Sequence, residues 1–128
     1  MDTISLKELL EKTFKDTFEF HPKFYEEFCE LVKNSGEEKR IIKLLIEKLF
    51  AIIELKDIDF GTKWLEQLKG YDNMYSLHIN TNSTNYRLLF SKRSEHKYFL
   101  HMFYEKSGKY ATSYDKHVSI AINRRDNN

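Results

Sequence analysis

The sequence predicts an α+β fold: a small antiparallel β-sheet with an N-terminal αα-hairpin packed on one face and a C-terminal helix. Three observations predict it. Apolar residues recur at helical spacing over most of residues 4–54. From Met74 the period changes to two and returns in each run up to Tyr104, with polar turns between the runs. Helical spacing comes back at Val118, Ala121 and Ile122. A length of 128 residues suits one domain. That domain is expected to span residues 1–128, with 1–16 as a helical extension.

The elements follow in order. Leu6, Leu9, Leu10 and Phe14 have helical spacing, and Ser5 with Glu8 fits a capping box. This first helix reads as peripheral. Phe18-Glu19-Phe20 alternates like a strand. Pro22, the only proline, suits the first turn of a helix, where its missing N–H does no harm. Phe24, Phe28, Leu31 and Val32 continue that helix to about Lys33. After the turn Asn34-Ser35-Gly36, Ser35 and Glu38 repeat the capping pattern. A long helix then runs to about Glu54 on the broad apolar face of Ile41, Ile42, Leu45, Ile46, Leu49, Phe50 and Ile53. The two helices form an αα-hairpin.

Residues 57–61 read as a linker, and Trp64, Leu65 and Leu68 as a short helical turn before Gly70. In the first strand Tyr75, Leu77 and Ile79 share one face and Ser76, His78 and Asn80 the other. In the second, Arg87 opposes Tyr86, Leu88 and Phe90. The third, Tyr98 to Tyr104, is apolar enough to be central. Short turns at 80–84 and 92–96 imply an antiparallel meander. A loop with Ser107-Gly108 follows, and Thr112 or Ser113 caps a last helix ending near Arg125. With helices mainly on one side, the other face of the sheet is expected to be open and polar.

Composition narrows the setting. Aromatic content of 15% means that large rings fill much of the core. The single Cys29 forms no internal disulfide, and the N-terminus lacks a signal-peptide layout. With no apolar run near the roughly 18 residues of a membrane span, the chain reads as soluble and cytoplasmic, with no membrane partner. The net charge of +1 conceals a division. Residues 1–60 carry 10 Lys/Arg against 14 Asp/Glu, and residues 61–128 carry 11 against 6. Four of the five histidines lie in the second half. An acidic scaffold with a basic working surface fits this division, and so does chance segregation on a solvated surface. There is no phosphate-binding glycine loop, no Rossmann fingerprint, no Cys/His zinc quartet and no nucleophile elbow. Arg, Lys, His and Tyr on the strands, and on the loop after them, suit a polyanion.

Four segments carry a resemblance: LKGYDNMYSLHIN from Leu68, NYRLLF from Asn85, YFLHMFYEKSGK from Tyr98 and AINRR from Ala121. In this order and spacing they resemble the second half of RelE/HigB-type toxins, of the RelE/ParE superfamily of bacterial and phage toxin–antitoxin systems. There a segment L-x-E-L-R opens the sheet, a strand Y-R-h-h-[YF] (h, apolar) follows, then L-H-x-F-x-K-K-T, then a helix with A-x-x-R. In element order the resemblance covers about residues 18–125. It implies a RelE-like fold and a toxin that cleaves mRNA, free or on the ribosome, without metal or other cofactor, and is neutralised by a cognate antitoxin protein. A related branch acts on DNA gyrase, so a toxin with a protein target is the alternative, beside a non-catalytic RNA-binding relative.

The implied chemistry is attack of a ribose 2′-OH on the adjacent phosphate. It needs a general base, a general acid and stabilisation of extra negative charge. By position, Arg87 takes the scissile phosphate, and its fork geometry suits two phosphate oxygens. His78 stands at the arginine of L-x-E-L-R and suits acid or base work. Lys106 matches the second lysine after the L-H-x-F strand. Tyr104 suits base stacking or proton donation. Lys109 suits RNA backbone contact, and Arg124 matches A-x-x-R and suits substrate or helix anchoring. His101 matches the L-H position as a substrate contact, but between Phe99 and Phe103 on one strand face it reads first as a structural histidine. Each of these residues also has an ordinary structural reading, as an ion-paired arginine, a solubilising lysine or a core tyrosine. The general acid and base stay unassigned. Glu105 stands where the first lysine is expected, Ser76 replaces the acidic residue, and the segment from Lys109 to Ala121 is longer than the pattern.

Overall fold

The computed structural model of the chain describes residues 1–55, 63–106 and 112–127. The expected linker at 57–61, the Ser107-Gly108 loop and Lys109 lie outside the described residues. The elements are α1 (Thr3–Phe14), β1 (Phe18–Phe20), α2 (Pro22–Val32), α3 (Glu38–Glu54), β2 (Leu65–Gln67), β3 (Tyr75–Asn80), β4 (Asn85–Arg93), β5 (His96–Tyr104) and α4 (Tyr114–Asp126). The sheet has the order β1-β5-β4-β3-β2. The meander β3-β4-β5 is antiparallel as expected, and β2 joins it antiparallel. β1 pairs parallel with β5, so the sheet is mixed. The fold is α+β.

Strand alternation builds two cores. Tyr75, Leu77, Ile79, Tyr86, Leu88, Phe90, Phe99 and Met102 point from the sheet to one side, where they meet α1, α2 and α3. Phe99 is the hub of this core: its ring centroid lies 4.9 Å from Phe90, 5.5 Å from Phe20, 5.7 Å from Phe18 and 5.9 Å from Phe24. Leu6, Leu10 and Phe14 are buried in the same core, so α1 is not peripheral. Leu68, Met74, Leu89, Tyr98, Leu100 and Phe103 gather on the opposite side, under Val118 and Ala121 of α4. The expectation of an open second face is therefore corrected: α4 crosses it and covers most of it.

Local differences from the expectation have local causes. α1 begins earlier than its spacing indicates, because Asp2 accepts from the Ser5 N–H at 2.7 Å and leaves Ser5 inside the helix. Ser35 does not cap α3; it accepts from the Glu37 N–H and closes a turn on Val32. Leu65 to Gln67 is a strand, not a helical turn, because pairing with β3 overrides a three-residue apolar pattern. Between Leu89 and Phe90 the β4–β5 register shifts: Leu89 opposes His101 and Phe90 opposes Phe99. Leu100 is thus a bulge residue. The bulge sends Phe99 into the first core and His101 with Phe103 to the second face, so these three do not share a face as their spacing suggests.

β1 covers β5 only from Lys97 to Phe99. Beyond it the edge of β5 is satisfied by side chains instead of a strand. Glu27 of α2 accepts from the Met102 N–H at 3.2 Å, and Arg124 of α4 donates to the Leu100 carbonyl at 2.8 Å. Arg124 and Glu27 join in a two-point pair, both contacts at 2.8 Å. His101 completes the group with its Nδ1 at 2.9 Å from Glu27. Burial works to raise the Glu27 pKa, but the hydrogen bonds from His101 and Arg124 outweigh it and hold the carboxyl at about 2.

Two outcomes test this edge. Glu27→Ala leaves Arg124 partly buried and unpaired, so urea unfolding is expected to show a loss of about 3–5 kcal/mol. The folded-state pKa of Glu27 is depressed, so its stabilisation is present above its ordinary value of 4.5 and is lost as pH falls towards about 2. That acid-dependent loss is expected to disappear in Glu27→Gln; an unchanged profile below pH 4.5 contradicts the assignment.

Candidate functional site

The second face is a lattice of cross-strand neighbours. Its rows are Ser76, Leu89 and His101; then His78, Arg87 and Phe103; then Asn80 and Asn85, with Glu105 just past the end of β5. α4 begins over the middle row and leaves the last row uncovered. There the ends of β3, β4 and β5 border an open, largely polar concavity of about 840 Å³. Residues 80–85 form one wall, and Arg87, Tyr104, Glu105 and Lys106 the other. Glu37, at the start of α3, shapes the turn by accepting from Thr81 at 2.6 Å and Ser83 at 2.8 Å.

Arg87 is the buried cation of this site, with 8% of its surface exposed. Its Nε donates to the Tyr114 hydroxyl at 3.2 Å. Its Nη1 donates to Asn80 Oδ1 at 2.9 Å and to the Tyr86 carbonyl at 3.0 Å. Its Nη2 pairs with Glu105 Oε2 at 2.6 Å. The guanidinium is therefore fixed in position, and Glu105 is the negative group that balances it. Asn85 holds the Glu105 backbone, accepting from its N–H at 2.8 Å and donating to its carbonyl at 3.2 Å.

His78 is the cross-strand partner of Arg87. It does not line the concavity but lies on the far side of Arg87. Its Nε2 is 3.0 Å from Glu66 Oε1 on β2. Burial lowers its pKa first and the Arg87 charge second, against the pull of Glu66. The ring is then neutral at pH 7, Nε2–H donates to Glu66, and Nδ1 carries the lone pair. A carboxylate-oriented neutral imidazole is the form that accepts a proton.

Of the residues singled out by sequence, Arg87 and His78 sit side by side, and Tyr104 and Lys106 stand at the rim of the concavity. Tyr104 is exposed and meets Tyr86 edge to face at 5.7 Å. Lys106 is exposed, its backbone N–H donating to Thr112 at 2.7 Å. His101 and Arg124 are held apart from this group, at the β5 edge with Glu27. There they have a structural explanation that needs no substrate. Lys109 lies outside the described residues.

The structure adds residues that sequence spacing does not single out. Tyr114, the first residue of α4, touches Arg87; burial and then the Glu105 charge push its hydroxyl up to about 12, so it keeps its proton. His117, one turn on, stacks on Phe103 at 3.9 Å between ring centroids and reaches His101 at 2.7 Å. Burial, and then His101, depress it to about 4. Their spacing of three residues places them on one side of α4, but only the tertiary fold shows which residues they meet. Ser76, where the resemblance expects a carboxylate, is fully buried, and its hydroxyl has no hydrogen-bond partner among the described residues.

Among the described residues, no helix is long and apolar enough to cross a membrane, and no group of three His, Cys, Asp or Glu side chains is placed to hold a metal ion. Compared with family models, with curated proteins and with solved structures, the chain matches none.

The state of His78 is directly measurable. Its imidazole ¹⁵N shifts at pH 7 are expected to show a protonated Nε2 and a bare Nδ1, with a midpoint below 6.5. In Glu66→Ala the midpoint is expected to fall further, because Glu66 is the larger of the two carboxylates that raise it and burial and Arg87 remain to lower it. A protonated Nδ1, or a midpoint above 6.5, contradicts the arrangement.

Proposed function

We propose that the chain is a toxin of the RelE/HigB kind that cuts mRNA through its 2′-hydroxyl, without a metal, and is neutralised by a cognate antitoxin. The observation that carries this reading is Arg87 at the border of an open polar concavity, with His78 as its cross-strand neighbour behind it. A phosphate stabiliser next to a neutral imidazole is what attack of a 2′-OH requires. From β1 to α4 the order is one strand, two helices, four strands and a helix, which is the order on which the resemblance rests with the short β2 added.

In this reading a ribose–phosphate unit runs from the concavity across Arg87 to its cross-strand neighbour His78. His78 Nδ1 takes the 2′-OH proton, and the oxygen attacks the neighbouring phosphorus. Arg87 meets the negative charge that builds on the phosphoryl oxygens. Its fixed position lowers the reorganisation needed at that moment. The bond to the 5′-oxygen breaks, and Tyr104 or Lys106 at the rim supplies the proton to that leaving oxygen. The products are a cyclic phosphate and a free 5′-OH. The side-chain amides of residues 80–85 are suited to the flanking sugar–phosphate backbone. The alternative, a toxin with a protein target such as gyrase, draws support from Glu105, which neutralises Arg87 at the centre of the site.

Expression of the chain in bacteria, with mapping of mRNA 5′-ends, separates these readings. The parent is expected to arrest growth and produce new 5′-OH ends. Arg87→Ala and His78→Ala are each expected to reduce cleavage by about 10²–10⁴-fold. Arrest without new ends moves the target to a protein, and cleavage that survives both substitutions removes this site from the chemistry.

A further inference from the structure

Glu105 is the feature of the site that simple phosphate binding does not explain. Its carboxylate is paired with Arg87, and Tyr114 stands on the same guanidinium. Arg87 Nη2 is at 2.6 Å, and the Tyr114 hydroxyl, which accepts from Arg87 Nε at 3.2 Å, feels the Glu105 charge as well. A guanidinium on β4 that touches both a carboxylate and a hydroxyl brought by α4 makes the core of an oxyanion receptor. Both donors are held from behind. Asn80 and the Tyr86 carbonyl fix the guanidinium, and Phe103 packs edge-on against the Tyr114 ring at 5.3 Å. Glu105 is held differently. Its backbone is tied to Asn85, but its side chain is 24% exposed against 10% for Arg87, and both border the concavity. An anion that enters the concavity therefore meets Arg87 with Glu105 already paired to it.

We propose that Arg87 and Tyr114 form an oxyanion site that the chain's own Glu105 occupies in the free protein, and that an RNA phosphodiester binds by displacing it. The proposal rests on the reading of Arg87 as the phosphate residue and adds Tyr114 as a second donor. The consequence is an internal competition. A buried guanidinium left without an anion is strongly disfavoured. Glu105 prevents that state, at the expense of affinity for any single free phosphate. A polymer overcomes the competition with contacts along residues 80–85 and Lys106, whereas a small anion has no such help. The site therefore discriminates in favour of a strand over a free phosphate group. Tyr114, whose hydroxyl accepts from Arg87 Nε, turns its own proton to a phosphoryl oxygen of the bound strand.

The test is calorimetric binding of inorganic phosphate and of a 2′-O-methyl oligoribonucleotide, which cannot react at its 2′-oxygen. The parent is compared with Glu105→Gln and Glu105→Ala, with Glu54→Gln as a control for loss of one exposed carboxylate elsewhere. Thermal melts identify which Glu105 variant is folded. That variant is expected to bind inorganic phosphate at least about tenfold more tightly than the parent and the control. The gain for the oligonucleotide is expected to be smaller. Adding Tyr114→Phe is expected to remove part of the phosphate gain, and Arg87→Ala all of it. Folded Glu105 variants that bind phosphate no better than the control overturn the proposal, as does a gain that persists without Arg87. If the gain is present and no variant cuts RNA, the oxyanion site stands and the nuclease reading fails. If the parent cuts RNA and Glu105→Gln shows no gain, the nuclease stands and the displacement fails.

Discussion

The unfinished edge of β5 is the constraint on which the rest of the structure depends. β1 is only three residues long and leaves the second half of a central strand without a neighbour on one side. Unpaired buried backbone groups are costly. Glu27 and Arg124 take the place of a strand, one accepting from Met102 and the other donating to Leu100. Their mutual pair links α2, on one side of the sheet, to α4, on the other. The edge contact therefore also fixes where α4 lies. Once α4 is placed, Val118 and Ala121 seal the second core, His117 stacks on Phe103, and Tyr114 arrives at Arg87. The candidate site is the part of that face which α4 does not reach.

Charge is handled oppositely at the two clusters. At the β5 edge the carboxylate is the deeply stabilised member: Glu27 sits between Arg124 and His101, and its pKa is drawn down to about 2. That cluster is closed, with a partner for each charged group. At the strand ends the cation is the anchored member. Arg87 is held by Tyr114, Asn80 and a carbonyl, while its anion, Glu105, is nearer solvent and at the border of a concavity. A closed ion cluster serves stability. One whose anion faces an open polar space is suited to exchange. This difference, more than the presence of any one residue type, separates Arg87 from Arg124 as a functional candidate.

Much of the fold was legible because period and caps act locally. The alternation of Tyr75, Leu77 and Ile79 against Ser76, His78 and Asn80 is realised residue by residue, and so is Arg87 opposite Tyr86 and Leu88. Pro22 does open α2, and α3 ends at Glu54. What was not legible depends on pairing between distant segments. The bulge at Leu100 changes the face of Phe99 relative to His101, and no pattern within β5 announces it. β2 is too short to declare itself without β3. The covering of the second face by α4 requires Glu27 and Arg124 to meet across 97 positions of sequence. The same limit applies to the site. Arg87 and His78 stand on adjacent strands and were found together, whereas Tyr114 and Glu66 are brought to them by the fold. His101 and Arg124, which look like working residues in the linear pattern, are used at the strand edge. Glu105, a departure from the pattern in sequence, proves to be the direct partner of Arg87.

The central claim is that Arg87, and not the chemically similar Arg124, is where this protein meets an anionic strand. The most direct measurement follows the Nε–H signals of both arginines by NMR while a 2′-O-methyl oligoribonucleotide is added to the parent protein. The account predicts that the Arg87 signal moves in a saturable way, together with the side-chain amides of Asn80 and Asn85, and that the Arg124 signal stays in place. Movement at Arg124 with Arg87 unchanged, or no movement at Arg87 under saturating oligonucleotide, contradicts it.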